Sequence, residues 1–306
     1  MTSPQQTLIT AQQLDAQTRQ EVESLVACCK QHEPIDLPLL LDPEPSPEHG
    51  QNLYFLCYLG DPNGGKALVG AASTWPGREV EAVGAVHPDY RRQGIGRALF
   101  DTLIQEARQR GADSMHLVCE ENAPSGAAFA RAVGAQYEFS EYRMELDRTR
   151  YAQRPSSIQT IALERADQAV QDTLVALLST SREVNPPTAQ ALLKSWLSDA
   201  AQRLYVGWQE DRAIGVIRVH QGQSSAHLHS FVVHPDLRGR GYGRQILMGV
   251  LDEVIAEDWP HIMLEVDVEN VVALSLYRSI GFEPITVCQY YHFTVHPPRK
   301  RKSKRV

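Results

Sequence analysis

Long hydrophobic runs are missing from this 306-residue chain: no stretch approaches the roughly 18–20 apolar residues that a membrane helix needs. Its start, MTSPQQTLITAQQLD, has neither a basic opening nor a long apolar core, so no secretory signal is expected. Cysteine is scarce and unpatterned. The five (Cys28, Cys29, Cys57, Cys119 and Cys288) are odd in number and show no CxxC spacing. That argues against a disulfide frame or a zinc site and for reduced core thiols in a cytoplasmic protein. With 42% apolar and 22% charged residues, the composition also excludes wholesale disorder and fibrous repeats. The length favours two domains over one.

Positive charge is thin outside the last few residues. The net charge is −7, and Arg299, Lys300, Arg301, Lys302, Lys304 and Arg305 crowd the C-terminus; without those six the remainder carries −13. So acidic a body is a poor general nucleic-acid binder, and neither nucleic acid nor membrane is expected as a partner. The basic tail, 299–306, reads as a solvated end, with docking onto an anionic partner as the alternative.

What the chain does have is an internal repeat. The run Val86-His87-Pro88-Asp89-Tyr90-Arg91-Arg92-Gln93-Gly94-Ile95-Gly96-Arg97 returns as Val233-His234-Pro235-Asp236-Leu237-Arg238-Gly239-Arg240-Gly241-Tyr242-Gly243-Arg244, with eight of twelve positions identical at an offset of 147. Downstream, Leu99, Phe100, Leu103, Ile104 and Ala107 fall on Ile246, Leu247, Val250, Leu251 and Val254, the spacing of one buried helical stripe. So long a period means two similar domains in tandem, 1–150 and 151–298, divided in the polar stretch Asp147–Gln159. The second half reads as a strand at Ile158–Leu163 and helices near Ala166–Leu178 and Thr188–Ala200. Strands follow at Arg203–Gln209, Ala213–Val219 and Ser225–Val233, then a helix at Gly241–Glu257. A strand (His261–Asp267), a helix (Val271–Ile280) and a last β segment (Glu283–Val295) end it. This is an α+β class, each half a mixed, mostly antiparallel sheet flanked by helices. A Pro-rich stretch, His32–Pro47, distinguishes the first half and reads as a surface loop, with a lid over a cleft as the alternative.

The segment Arg238-Gly239-Arg240-Gly241-Tyr242-Gly243 follows an apolar strand and opens a helix. Unpaired N–H groups, the positive end of the dipole and nearby arginines suit a phosphate or diphosphate there. The P-loop pattern GxxxxGK[ST] is absent. A dinucleotide fingerprint fits badly, because several strands and a His-Pro-Asp precede the turn. The pattern Val-x-Pro-x-x-Arg-x-x-Gly-x-Gly, present twice, resembles the acyl-CoA diphosphate loop of the GCN5-related N-acetyltransferases (GNAT). Asn270-Val271-Val272-Ala273-Leu274-Ser275-Leu276-Tyr277-Arg278-Ser279-Ile280-Gly281-Phe282 matches that family's N-x-x-A-x-x-x-Y-x-x-x-G-F helix without departure.

The resemblance implies two GNAT-fold domains and transfer of an acetyl group from acetyl-CoA to a primary amine of a small molecule or peptide, with no metal. It places the donor on Phe231, Val232, Val233, Arg238, Gly239, Arg240, Gly241, Tyr242, Gly243, Arg244 and Asn270. In the first half it places it on Gly84, Ala85, Val86, Arg91, Arg92, Gln93, Gly94, Ile95, Gly96 and Arg97, leaving open one donor per domain. Tyr277 matches the tyrosine beside the sulfur and is the candidate general acid. Glu265, a carboxylate within an apolar strand, resembles the base of protein N-terminal acetyltransferases, with a salt-bridged glutamate as the alternative. His227 and His229 share one face of their strand and are candidates for base or acceptor contact. Tyr290, with Tyr291, is a candidate for the acceptor cleft, against simple strand packing.

The first half departs from the pattern. Counting from Asn122 puts Phe129 at the tyrosine position, and counting back from Gly134 puts Ala130 there. Leu117 or Val118 takes the Glu265 position. Chemistry is therefore expected in the second half, with the first binding acyl-CoA or supporting the fold. The two-domain layout resembles the mycothiol synthases, which adds a cysteinyl amine as an alternative acceptor. A non-catalytic acyl-CoA-binding regulatory module and protein acetylation guided by the basic tail are further alternatives. Monomer and homodimer both stay open.

Overall fold

The computed structural model describes residues 6–35, 53–60, 65–75, 80–154, 159–181, 184–222 and 224–296. The Pro-rich stretch beyond Ile35, residues 155–158 of the expected linker and the basic tail lie outside the described residues.

The first half forms β1 (Gln6–Ala11), α1 (Ala16–His32), β2 (Tyr54–Gly60), β3 (Lys66–Trp75), β4 (Val80–Val86), α2 (Ile95–Gln109), β5 (Ser114–Glu120), α3 (Pro124–Ala132) and β6 (Gln136–Leu146). After a short α4 (Arg148–Ala152), the second half forms β7 (Ala162–Arg165), α5 (Gln171–Leu178), α6 (Pro186–Ser198), β8 (Gln202–Gln209), β9 (Arg212–Gln221) and β10 (Ser225–Val233). It ends in α7 (Tyr242–Ala256), β11 (His261–Asp267), α8 (Val271–Ile280) and β12 (Phe282–Thr294). The expected strand at Ile158–Leu163 is found later, as β7. It is an edge strand that pairs only with β8, so its alternation is weak.

The chain divides into two compact units, Met1–Ser140 with Thr286–Val306, and Glu141–Ile285. No single cut in the chain separates them, because the halves exchange a strand. In the first unit Cys288–Thr294 of β12 lies antiparallel to Glu120–Ser114 of β5, completing the order β1-β2-β3-β4-β5-β12. In the second unit Glu141–Glu145 of β6 lies antiparallel to Asp267–Met263 of β11, giving β6-β11-β10-β9-β8-β7. The side chains explain the fit. Cys288 and Tyr290 join the core under α1, and Tyr291 joins the core under α2. Met144 and Leu146 enter the core under α7.

The helical stripes are buried as their spacing predicts, Leu99, Phe100, Leu103, Ile104 and Ala107 on α2, and Ile246, Leu247, Val250, Leu251 and Val254 on α7. Each unit contains one parallel pair among antiparallel ones. That ladder is short: Val80↔Met115 to Ala82↔Leu117 in the first unit, and Ser225↔His261 to Leu228↔Leu264 in the second. Past its last rung the two strands part, so the strand ends lose the parallel neighbour on that side while keeping the antiparallel one on the other. All five cysteines are free, and no helix among the described residues is long and apolar enough to cross a membrane.

Candidate active site

The repeated turn behaves alike in both units. Gly241 caps α7 with φ +80° and Gly94 caps α2 with φ +87°, a region where a side chain is strained. A Cβ at Gly241 would meet nothing within 4 Å, so the bend faces open space and the orphan N–H groups of the first helical turn face it. The motif's leading arginine braces the turn: Arg238 Nε donates to Val233 O at 3.0 Å, and Arg91 Nε to Val86 O at 3.1 Å. Arg244 donates to Ser279 Oγ, tying α7 to α8, and Tyr242 donates its hydroxyl to Gln209 at 2.8 Å. Asn270 Oδ1 accepts from Ala273 N–H at 3.2 Å and so caps α8. Arg240 stays exposed. In the first unit, Glu33 accepts from Arg91 Nη1 at 2.8 Å and from Ser125 Oγ at 2.7 Å, bridging the turn to the start of α3.

Phe231–Val233 and Gly84–Val86 both lie beyond the last parallel rung, but they are built differently. The β9–β10 register slips between His229 and Val232, and Ser230 takes a positive φ of 50°. Such a bulge turns backbone groups out of the ladder. β4 keeps continuous register with β3 from Gly70↔Val86 to Trp75↔Glu81.

Next to the bulge a polar line crosses the second unit's sheet. Register sets Arg218 opposite His229, and Glu265 opposite Arg143; His229 and Glu265 follow the last rung of the β10–β11 ladder. Arg143 Nε lies 3.1 Å from Glu265 Oε1, with side-chain exposures of 1% and 16%. The rings of His227 and His229 stack at 5.8 Å with 9° between planes, and His227 Nε2 is 3.0 Å from Ser225 Oγ. The Arg218 guanidinium sits 4.6 Å from the Trp196 ring centroid and donates to Gln202 at 2.7 Å.

Burial would lift the Glu265 carboxyl, but Arg143 first, then His227 and His229, hold it below the usual glutamate range. Burial, followed by the Arg218 charge, pushes His229 well below the usual imidazole value, so it is neutral at pH 7. The potential ligand atoms of His227, His229 and Glu265 lie within 4.8 Å of one another, close enough to hold a metal. Two guanidiniums border them, one bonded to the carboxylate, and both oppose a dication. The arrangement suits movement of protons better.

Tyr277 projects from α8 into the core edge-on to Phe282, with ring centroids 6.0 Å apart. Burial alone raises its phenol to about 12, so the hydroxyl keeps its proton at neutral pH.

The first unit puts different residues at the corresponding places. The corresponding line is Ser73 opposite Val83, then Val118 opposite Tyr290. Val83, Val118 and Tyr290 pack with Val22, Leu25 and Val26 of α1. Packing also settles which residue stands for Tyr277. A Cβ at Gly243 would touch Leu276, and one at the matching Gly96 would touch Phe129; Phe129 therefore matches Leu276, and Ala130, fully buried, takes the tyrosine position. Tyr290 stands apart from the other candidates. It is buried in the first unit and stacks on Phe139 at 4.4 Å, because the strand that carries it is exchanged.

The structure thus gathers His227, His229 and Glu265 in the second unit, with Tyr277 on the α8 that follows β11. It adds Arg143 and Arg218, which sequence reasoning passed over. Arg218 in Val216-Ile217-Arg218-Val219 carries the same signal as Glu265, a charge inside an apolar run. Arg143 lies before the repeat boundary, and nothing local ties it to a strand more than a hundred residues later.

Comparison with known proteins bears on the family and the fold. The chain is 27% identical over 268 residues to the mycothiol acetyltransferase of Thermobifida fusca, covering 76% of this chain and 81% of that one. It is 24% identical to the mycothiol acetyltransferase of Saccharomonospora viridis, covering 92% and 97%. Among solved structures, a GCN5-related N-acetyltransferase from Sphaerobacter thermophilus superposes with a TM-score of 0.71 at 16% identity over 97% of this chain and 98% of that one. A tandem GNAT protein from the clavulanic acid biosynthesis pathway does so at 0.68 and 18%, over 96% and 100%. The sequence profile of the acetyltransferase (GNAT) family matches twice, at residues 20–135 and 170–282, and the chain belongs to that family as a tandem GNAT N-acetyltransferase.

Proposed function

We propose that the chain transfers an acetyl group from acetyl-CoA to the primary amine of a small molecule or peptide, with the chemistry in the second unit. The supporting observation is the contrast between the repeats. One copy sets Arg218, His229, Glu265 and Arg143 across its sheet with Tyr277 on α8; the other puts Ser73, Val83, Val118, Tyr290 and Ala130 there.

An alkylammonium, with a pKa of about 10.4, becomes a nucleophile only after losing a proton. Glu265, with His229 and His227 beside it, offers the acceptor groups, directly or through water. As the amine nitrogen bonds to the thioester carbon, negative charge collects on the carbonyl oxygen, and N–H groups turned outward by the bulge at Ser230 are suited to receive it. The carbon–sulfur bond then breaks, and Tyr277 hands its proton to the departing thiolate. The turn at Gly241 holds the diphosphate of the donor. The first unit keeps the turn and lacks the acid; we assign it donor binding or support of the fold.

A cysteinyl amine is the second reading for the acceptor. It rests on the likeness to the mycothiol acetyltransferases, one of which is matched over 97% of its length. Release of free coenzyme A thiol from acetyl-CoA, followed with a panel of primary amines including cysteine-terminated ones, tests both. Amine-dependent release is expected. Donor binding by calorimetry without release for any amine would turn the reading into one of a non-catalytic acyl-CoA sensor.

A further inference from the structure

The Glu265 carboxylate has a partner from the other half of the sequence. Arg143 belongs to the first repeat by chain order, yet β6 crosses into the second unit and sets it in direct register with Glu265. Its guanidinium is buried and 3.1 Å from the carboxylate. At the matching place the first unit has Tyr290 against Val118, with the Tyr290 ring stacked on Phe139 and edge-on to His116. A charge is therefore not something this position in the fold requires. Burying a guanidinium without need is costly, and pairing does not by itself repay the cost in stability.

We infer that Arg143 is the positioning residue of the second unit's site, fixing the Glu265 carboxylate and keeping it charged where the acceptor amine must lose its proton. The inference rests on the reading that the second unit carries the chemistry. The groups facing Glu265 are Arg143 from β6 and His227 and His229 from β10, and behind His229 stand Arg218 and His220 from β9. Burial favours the protonated acid, and Arg143 is the largest influence opposing it. Without Arg143 the carboxyl must titrate at higher pH. A base is active only when unprotonated, so the acid limb of the pH–rate profile moves up, and each unit of movement removes about tenfold of the rate on that limb.

The test compares kcat/KM against pH for Arg143→Met, Arg143→Lys, Glu265→Gln and the Met–Gln double variant of the full chain, with thermal melting and coenzyme A affinity as checks of folding. Arg143→Met is expected to move the acid limb up, so that at pH values below the parent's own midpoint the loss exceeds that at about pH 8.5 by about tenfold for each unit of movement. Arg143→Lys is expected to restore most of the limb's position. In the Glu265→Gln background, Arg143→Met is expected to add little. Arg143→Gln, which keeps a donor but drops the charge, carries the test if the methionine variant does not fold. A uniform loss at all pH values, additive with Glu265→Gln, overturns the inference. Full activity of Glu265→Gln instead overturns the underlying assignment of Glu265, a separate failure.

Discussion

Replacing Tyr277 by phenylalanine is expected to lower kcat for acetyl transfer by about 10–10³-fold, the scale of a lost proton donor, with coenzyme A affinity little changed. The ring fills its core position through contacts with neighbours such as Phe282, and phenylalanine keeps these. The hydroxyl, raised to about 12 by burial, is available as an acid across the neutral range. Removing it leaves the thiolate to depart unprotonated, a penalty in the transition state and not in donor binding. Steady-state turnover with acetyl-CoA and an accepted amine, beside a coenzyme A titration by calorimetry, checks the result. Equal turnover of variant and parent from roughly pH 6 to 9 would remove Tyr277 from the mechanism.

Cutting the chain between the halves is expected to destroy both. A fragment ending near residue 150 leaves β5 without Cys288–Thr294, and its cores without Cys288, Tyr290, Tyr291 and Val295, all nearly inaccessible in the whole protein. At about 1.5–3 kcal/mol for each large apolar side chain withdrawn, the loss rivals the roughly 5–15 kcal/mol that holds a domain folded. The complementary fragment loses Met144 and Leu146 from its core and Arg143 from beside Glu265. Circular dichroism and melting of each fragment should show no cooperative transition. Mixing or co-expressing the two should restore one, with acetyl transfer. Independent cooperative melting of either piece would contradict the exchange.

Much of the fold is legible in the sequence because its carriers are local. The offset of 147 announces two copies, the apolar stripes mark α2 and α7, and the Gly-rich bend marks where each helix begins. Tyr277 and Glu265 stand out for similar reasons, one within a contiguous motif and the other as a charge in an apolar strand. The exchange of β6 and β12 is not legible. Strand alternation says which face is buried but not which sheet buries it, and a hairpin-like return within each half would leave the same pattern. Tyr290 is placed in the first unit, and Arg143 in the second, by that non-local choice alone. The bulge at Ser230 is equally hidden, since no glycine marks its positive φ.

The contrast between the two lines has a bearing on how the molecule breathes. Where the first copy sets Val83, Val118 and Tyr290, the second sets His229, Glu265 and Arg143, whose desolvation weakens the packing they displace. Amide deuterium uptake should accordingly be faster along β10 and β11 than along β4 and β5, the bulge at Ser230 adding to the difference. On that outcome, the copy proposed to carry the chemistry is also the one with more freedom to admit and release its substrates.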